Sequence, residues 1–196
     1  MRNWILGISA FVMLFVLNSC GTPQYENPSE ASQKGFALSF FKQVVAASES
    51  DENILVSPYS AAVALSMVAE GAEGQTRAEF DNALNGCLFK AVDLGNNDTV
   101  TVKSANSVWI TDDFSVRNRF VGLLGKDFDA SVVNLSFDDP ATVRAINNWC
   151  SENTEGKITE IVERLSSGMV MLLVNALYFN APWAEAFPEA STREGL

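Results

Sequence analysis

The sequence predicts a mixed α+β domain, on three observations. Its 196 residues are 47% apolar and 19% charged, enough for one globular domain with a real core. Capped, helix-periodic stretches recur along it, and between them lie apolar or alternating runs of strand type. Val170 to Phe179 (VMLLVNALYF) is the longest of these runs, continuous enough to sit in the middle of a sheet.

The amino end reads as an address. Residues 1–19 have a basic start at Arg2 and an apolar run from Trp4 to Leu17, too short to span a bilayer comfortably. The run closes on Leu17-Asn18-Ser19-Cys20. It is similar to the lipobox of bacterial lipoproteins, with an apolar residue at minus three, a small one at minus one and the lipid-bearing cysteine at Cys20; Asn18 is a less usual choice at minus two. An ordinary cleavable leader with a chance cysteine, or a membrane-spanning anchor, are the other readings. Residues 20–33 then form a polar tether rich in Pro, Ser and Glu, and the folded part is expected over 34–196.

From Lys34 to Ser48, Phe36, Leu38, Phe40, Phe41, Val44 and Val45 mark an amphipathic helix. Ser57-Pro58 supplies a capping hydroxyl and a proline at the first helical position, where its missing N–H costs nothing. The helix it opens, PYSAAVALSMVA, has no charge before Glu70, so burial on nearly all sides is expected. Thr76 and Glu79 have capping-box spacing for a third helix over 77–84. A strand is expected over 100–110, a helix over 117–128 and a strand over 131–137. Asp139-Pro140 should cap a helix running to about Asn153, with Gly156 as its stop.

Composition excludes several functions. With 13 basic residues against 24 acidic ones, nucleic acid is not an expected partner. There is no histidine, which removes Ser-His-Asp and Cys-His catalysis within these residues and the commonest zinc ligand. Cys20, Cys87 and Cys150 are too scattered for a zinc site, and if Cys20 is modified only a Cys87–Cys150 bridge remains possible. The pairs Asp112-Asp113 and Asp138-Asp139 read as solvated turn residues. No phosphate-cradling glycine loop is present, and no cofactor or metal is expected. By themselves, Ser57 and Ser60 read as a cap and a buried helix hydroxyl. Asn106, Asn147 and Asn175 stand inside otherwise apolar elements, where a buried amide needs partners.

Five segments, in order, resemble the amino-terminal half of the serpins: NILVSPYSAAVALSMVAEGAEGQTRAEF (53–80), SANSVWI (104–110), RFVGLLGKDFDASVVNLSF (119–137), INNWCSENTEGKITEIV (146–162) and LLVNALYFNAPWAEAF (172–187). The resemblance implies a partial serpin fold: amino-terminal helices and the first strands of the family's large sheet A. It implies that Ser57, Ser60 and Asn175 form the shutter, the polar cluster beneath the place where that sheet opens. Trp183 resembles the breach tryptophan, and Thr154, Gly156 and Lys157 the turn after the covering helix. It also implies inhibition of serine or cysteine proteases: a reactive loop is cut by the target protease and inserts as an extra strand. A non-inhibitory serpin-fold binding or structural lipoprotein is the alternative; an enzyme finds no catalytic constellation.

Two departures stand out. Asn180-Ala181-Pro182 replaces the usual Lys-Gly-x before Trp183, and the loop near Ala91 to Thr99 is short and acidic, which disfavours glycosaminoglycan binding. The resemblance also places the reactive loop and the remaining strands beyond Leu196, which would leave the strand at 170–179 as an uncovered apolar edge. On this reading the complete product is exported and lipid-anchored to a bacterial membrane, facing periplasm or exterior. Residues 21–196 made alone are expected to aggregate and to inhibit no protease. A monodisperse product that melts cooperatively in calorimetry would overturn the reading as a fragment.

Overall fold

The computed structural model describes residues 10–14, 29–48, 53–91, 95–166 and 168–188. Cys20, most of the leader and the first part of the tether lie outside the described residues. In chain order the elements are β1 (Ala10–Leu14), α1 (Glu30–Ala47), α2 (Pro58–Ala69), α3 (Gly74–Ala83), β2 (Thr101–Thr111), α4 (Asn118–Phe128), β3 (Ala130–Leu135), α5 (Pro140–Asn153) and β4 (Met171–Asn180).

The four strands form one sheet in the order β1-β4-β2-β3. β4 runs antiparallel to both its neighbours, while β2 and β3 are parallel and joined through α4. Side chains alternate across a strand, so each strand serves two cores. Val108, Ile110, Met171 and Leu173 face one way and pack with α2, α4 and Phe36 of α1. Trp109, Leu172 and Val174 face the other and pack with Ile146 of α5 and with Val162. A central strand with helices on both faces has no solvated side, which is why β4 reads as an unbroken apolar run rather than an alternating one.

α2 is the middle of the thicker layer. Ser60 to Ala64 and Ser66 to Ala69 are all buried, as its uncharged sequence predicts. Its start is also as expected: the Ser57 hydroxyl accepts from the Ser60 N–H at 3.2 Å, and Pro58 occupies the first turn. α5 begins the same way, with Asp139 Oδ1 accepting from the Ala141 N–H at 2.8 Å. It ends at a left-handed pair, Glu155 at φ 51° and Gly156 at φ 69°, where the Gly156 N–H reaches the Ser151 carbonyl at 2.8 Å.

Several expectations are corrected. α1 starts at Glu30 rather than near Lys34, because Ser29 caps it by accepting from the Ser32 N–H at 3.2 Å. Only part of its apolar stripe is used: Phe36 is buried and stacks on Phe40, whereas Leu38, Phe41 and Val45 are exposed. The Thr76–Glu79 capping box does not form. α3 begins at Gly74, which puts Thr76 inside the first turn, and Glu79 instead accepts from Gln75 Nε2 at 3.0 Å. The second edge of β4 is not bare, since Ala10–Leu14 pairs along it.

Cys87 and Cys150 are both free and buried. They cannot meet, because Cys87 packs in the core on the α2 side of the sheet and Cys150 lies on α5, across the other face. Burial disfavours the thiolate and pushes the Cys150 thiol from 9.0 up to about 11. The unfolded chain then ionises before the native one as pH rises. The stabilisation from a neutral buried thiol is therefore complete below pH 9 and lost as pH climbs through about 11. Urea midpoints measured from pH 8 upward should fall less steeply for Cys150→Ala than for the parent; equal slopes would contradict a buried, protonated Cys150.

Candidate functional site

The polar seam of the sheet lies where its two longest strands meet. Asn106 of β2 and Asn175 of β4 are directly opposite in the antiparallel register, on the face that looks toward α2. Asn175 is fully buried and Asn106 nearly so. The Asn175 amide Nδ2 donates to Asn106 Oδ1 at 2.8 Å and to Ser104 Oγ at 3.3 Å. Asn106 Nδ2 in turn donates to the Phe128 carbonyl at the end of α4, at 2.7 Å. A chain of hydrogen bonds thus ties β4 to β2 and β2 to α4 through a layer otherwise made of Val, Leu, Ile and Met.

Ser57 and Ser60 stand at the start of α2, the helix that packs on β4. Ser57 acts as the helix cap. Ser60 is fully buried in the first turn. Among the described residues no hydrogen bond links either serine to Asn175. The Ser60 hydroxyl and Asn175 Oδ1 are each buried without a hydrogen-bond partner. A hydroxyl can give a proton and an amide oxygen can only take one, so the two left-over groups are chemically complementary. Buried polar atoms left in this state are unusual, because each carries the cost of leaving water without a new partner.

Asn106 and Ser104 are the members that sequence reasoning did not attach to the cluster. Asn106 stood out as an amide in an apolar strand, but its pairing depends on the β2–β4 register, which single-strand patterns do not reveal. Asn147 is separate: it donates to the Val162 carbonyl at 2.8 Å and accepts from the Ile161 and Val162 N–H groups at 2.9 and 3.1 Å, fastening the segment after α5 to that helix.

Thr154, beyond the end of α5, is fully buried, and its hydroxyl donates to the Cys150 carbonyl and accepts from the Ile158 N–H. This closes the turn that contains Gly156 and Lys157. Glu155 on that turn pairs with Lys103 of β2, so the end of α5 is moored across the sheet. At the far end of β4, Trp183 is 44% exposed and packs edge-on against Phe187, with ring centroids 5.1 Å apart. Asn180, the first of the three altered residues before it, donates from Nδ2 to the Tyr178 hydroxyl at 3.1 Å. Among the described residues, no group of three or more Cys, Asp or Glu side chains could hold a metal ion.

Residues 31–196 match the family model described as serpin (serine protease inhibitor). The chain belongs to the serpin family. An uncharacterised serpin-like protein of Methanosarcina acetivorans is 29% identical over 83% of this chain and 42% of its own length. A serine protease inhibitor of Cyanea capillata is 33% identical over 81% of this chain and 46% of its own. Among solved structures, the thermophilic serpin tengpin in its latent state superposes with a TM-score of 0.75 at 29% identity, covering 86% of this chain and 49% of that one. The chain therefore spans about half the length of the serpins it matches, and the fold described above is a partial serpin fold.

The seam is expected to contribute to the stability of this serpin chain. Asn106→Ala deprives Asn175 Nδ2 and the Phe128 carbonyl of a buried partner, and should cost about 1–3 kcal/mol in denaturant unfolding. Ser29→Ala, at an exposed cap, should cost about 1 kcal/mol or less. A loss at position 106 no larger than at position 29 would show that the seam is not a connected network.

Proposed function

We propose that this sequence is the amino-terminal part of a serpin-type inhibitor of serine or cysteine proteases, in which a reactive loop carried by the longer polypeptide inserts as an extra strand. The observation that carries the reading is the polar seam. A sheet that parts during insertion needs groups at the parting point that can trade one hydrogen-bond partner for another, which apolar side chains drawn apart there could not do. Asn175 supplies one spare acceptor and Ser60 one spare donor, on elements that pack against each other. Ser57, Ser60 and Asn175 are then the shutter of the inhibitor, with Asn106 and Ser104 as its partners on β2, and Trp183 marks the breach where the inserting strand first enters.

The same reading places the inhibitor on a bacterial membrane through a lipid on Cys20, facing the periplasm or the exterior, with the tether ending at the cap of α1. Its support is the leader pattern of residues 1–20 and the polar composition of the residues that follow. Among the described residues no helix is long and apolar enough to cross a membrane. On this reading a lipid on Cys20 holds the inhibitor at the membrane, and proteases meet it at the surface of the cell.

Mixing the full-length product with serine and cysteine proteases should give a covalent complex that survives denaturing electrophoresis, together with a cleaved inhibitor band. Cleavage without any stable complex across a broad protease panel would favour a non-inhibitory serpin. Metabolic labelling with a radioactive fatty acid checks the anchor, as the parent product should take up label and Cys20→Ala should not.

A further inference from the structure

One side chain of the turn that ends α3 reaches across to α1. Leu84 and Cys87 are buried, and Asn85 and Gly86 stand between them at the surface, Asn85 at φ 57° and Gly86 at φ 73°. This left-handed pair lets the Gly86 N–H reach back to the Asp81 carbonyl at 2.6 Å and the Cys87 N–H to the Leu84 carbonyl at 3.2 Å. The Asn85 carboxamide is turned onto α1, where its Nδ2 donates to the Ser32 carbonyl at 3.4 Å. Room for it exists because residue 35 is glycine: a Cβ there would come within 2.8 Å of Asn85 Nδ2.

Asn85-Gly86 is the one Asn-Gly pair in the sequence. At such a pair an asparagine side chain cyclises most readily, since glycine puts no Cβ in the way of its own nitrogen. The Gly86 backbone nitrogen gives up its proton and attacks Asn85 Cγ; the new N–Cγ bond displaces Nδ2, which leaves as ammonia carrying that proton. Water then opens the five-membered imide at either carbonyl, giving aspartate or isoaspartate. Nothing is oxidised or reduced, and water is the sole co-reactant. The native structure opposes the first step twice. The attacking N–H is held by the Asp81 carbonyl, and the amide to be attacked is held by α1.

We propose that Asn85 is a deamidation site gated by the contact between α1 and the end of α3. While α1 is docked the amide is kept; when the start of α1 moves off, the side chain cyclises, and the acid that results cannot dock again. A carboxylate offers the Ser32 carbonyl no donor, and their oxygens repel. Isoaspartate in addition carries the chain through the side-chain carbon, which adds an atom to the turn that the bonds to Asp81 and Leu84 close. The conversion is therefore a one-way mark of opening at the start of α1. It rests on neither the inhibitory reading nor the lipid anchor.

The test incubates the full-length product in mildly alkaline buffer and follows the peptide that holds residues 85 and 86 by mass spectrometry, which separates the amide from the acid. Gly35→Ala displaces only the end of a flexible side chain and puts a better helix former into α1, so it leaves the fold intact. Conversion should be about tenfold or more slower in the native parent than in urea, and about threefold or more faster in native Gly35→Ala than in the native parent. Equal rates for the native and the urea-unfolded parent overturn the gate. A rate in Gly35→Ala no greater than the parent's shows that α1 is not what holds the amide, and overturns the proposal as well. The release step is read on Asn85→Asp, the product itself. Hydrogen exchange at the amides of Ser32 and Gln33, which bond to Ser29 at the cap of α1, should be about threefold or more faster there than in the parent. Unchanged exchange overturns the one-way release.

Discussion

Everything in this structure depends on the burial of α2. A helix of twelve residues with nine of them inaccessible to water cannot exist at a surface, so the chain must build walls around it. The sheet is one wall, through Val108, Ile110, Met171 and Leu173, and the others come from α1, α4 and the segment after α3. Buried side chains of this size are each worth about 1.5–3 kcal/mol relative to exposure, which is large against the entropy of ordering the small residues that dominate α2. Alanines and serines let the helix lie close to the strands. Ser60, in its first turn, is fully buried.

That closeness has a cost in polar groups, and the chain meets it unevenly. Ser66 is deep in the helix, and its hydroxyl accepts the Phe89 N–H at 2.8 Å, which fastens the segment after α3 to the core. Asn106 and Asn175 satisfy each other across two strands and reach Ser104 and the end of α4. Ser60 and the oxygen of Asn175 are left over. An apolar pair at positions 106 and 175 would remove the unpaired Asn175 oxygen but strip the Phe128 carbonyl of its buried partner, so the amides serve the end of α4 as well as the strand pair.

The opposite face is built for permanence. α5 covers Trp109, Leu172 and Val174, and it is fixed at one end by the Asp139 cap and at the other by the left-handed turn at Glu155 and Gly156. Asn147 and Thr154 both have their side-chain hydrogen bonds completed on this side. One face of β4 is thus covered by an anchored helix, and the other carries the Asn106–Asn175 pair. Between them the strand itself is almost wholly apolar, so its edges, not its faces, decide what can join the sheet.

Local signals in the sequence determined the elements: proline after a capping residue for α2 and α5, an uncharged run for the buried helix, an unbroken apolar run for β4, glycine for the stop after α5. These are short-range effects of backbone geometry and water exclusion, and they act wherever the chain happens to lie. The separated motifs carried the family as well, and with it the candidates Ser57, Ser60, Asn175 and Trp183. Tertiary structure decided what such signals cannot reach. The register that sets Asn106 opposite Asn175, the separation of Cys87 from Cys150 by a sheet, the half of the α1 stripe left in solvent and the strand made by Ala10–Leu14 all depend on pairings between distant segments. Hydrogen-bond partners and burial belong to the pair of elements, and a single stretch of residues holds only one side of each.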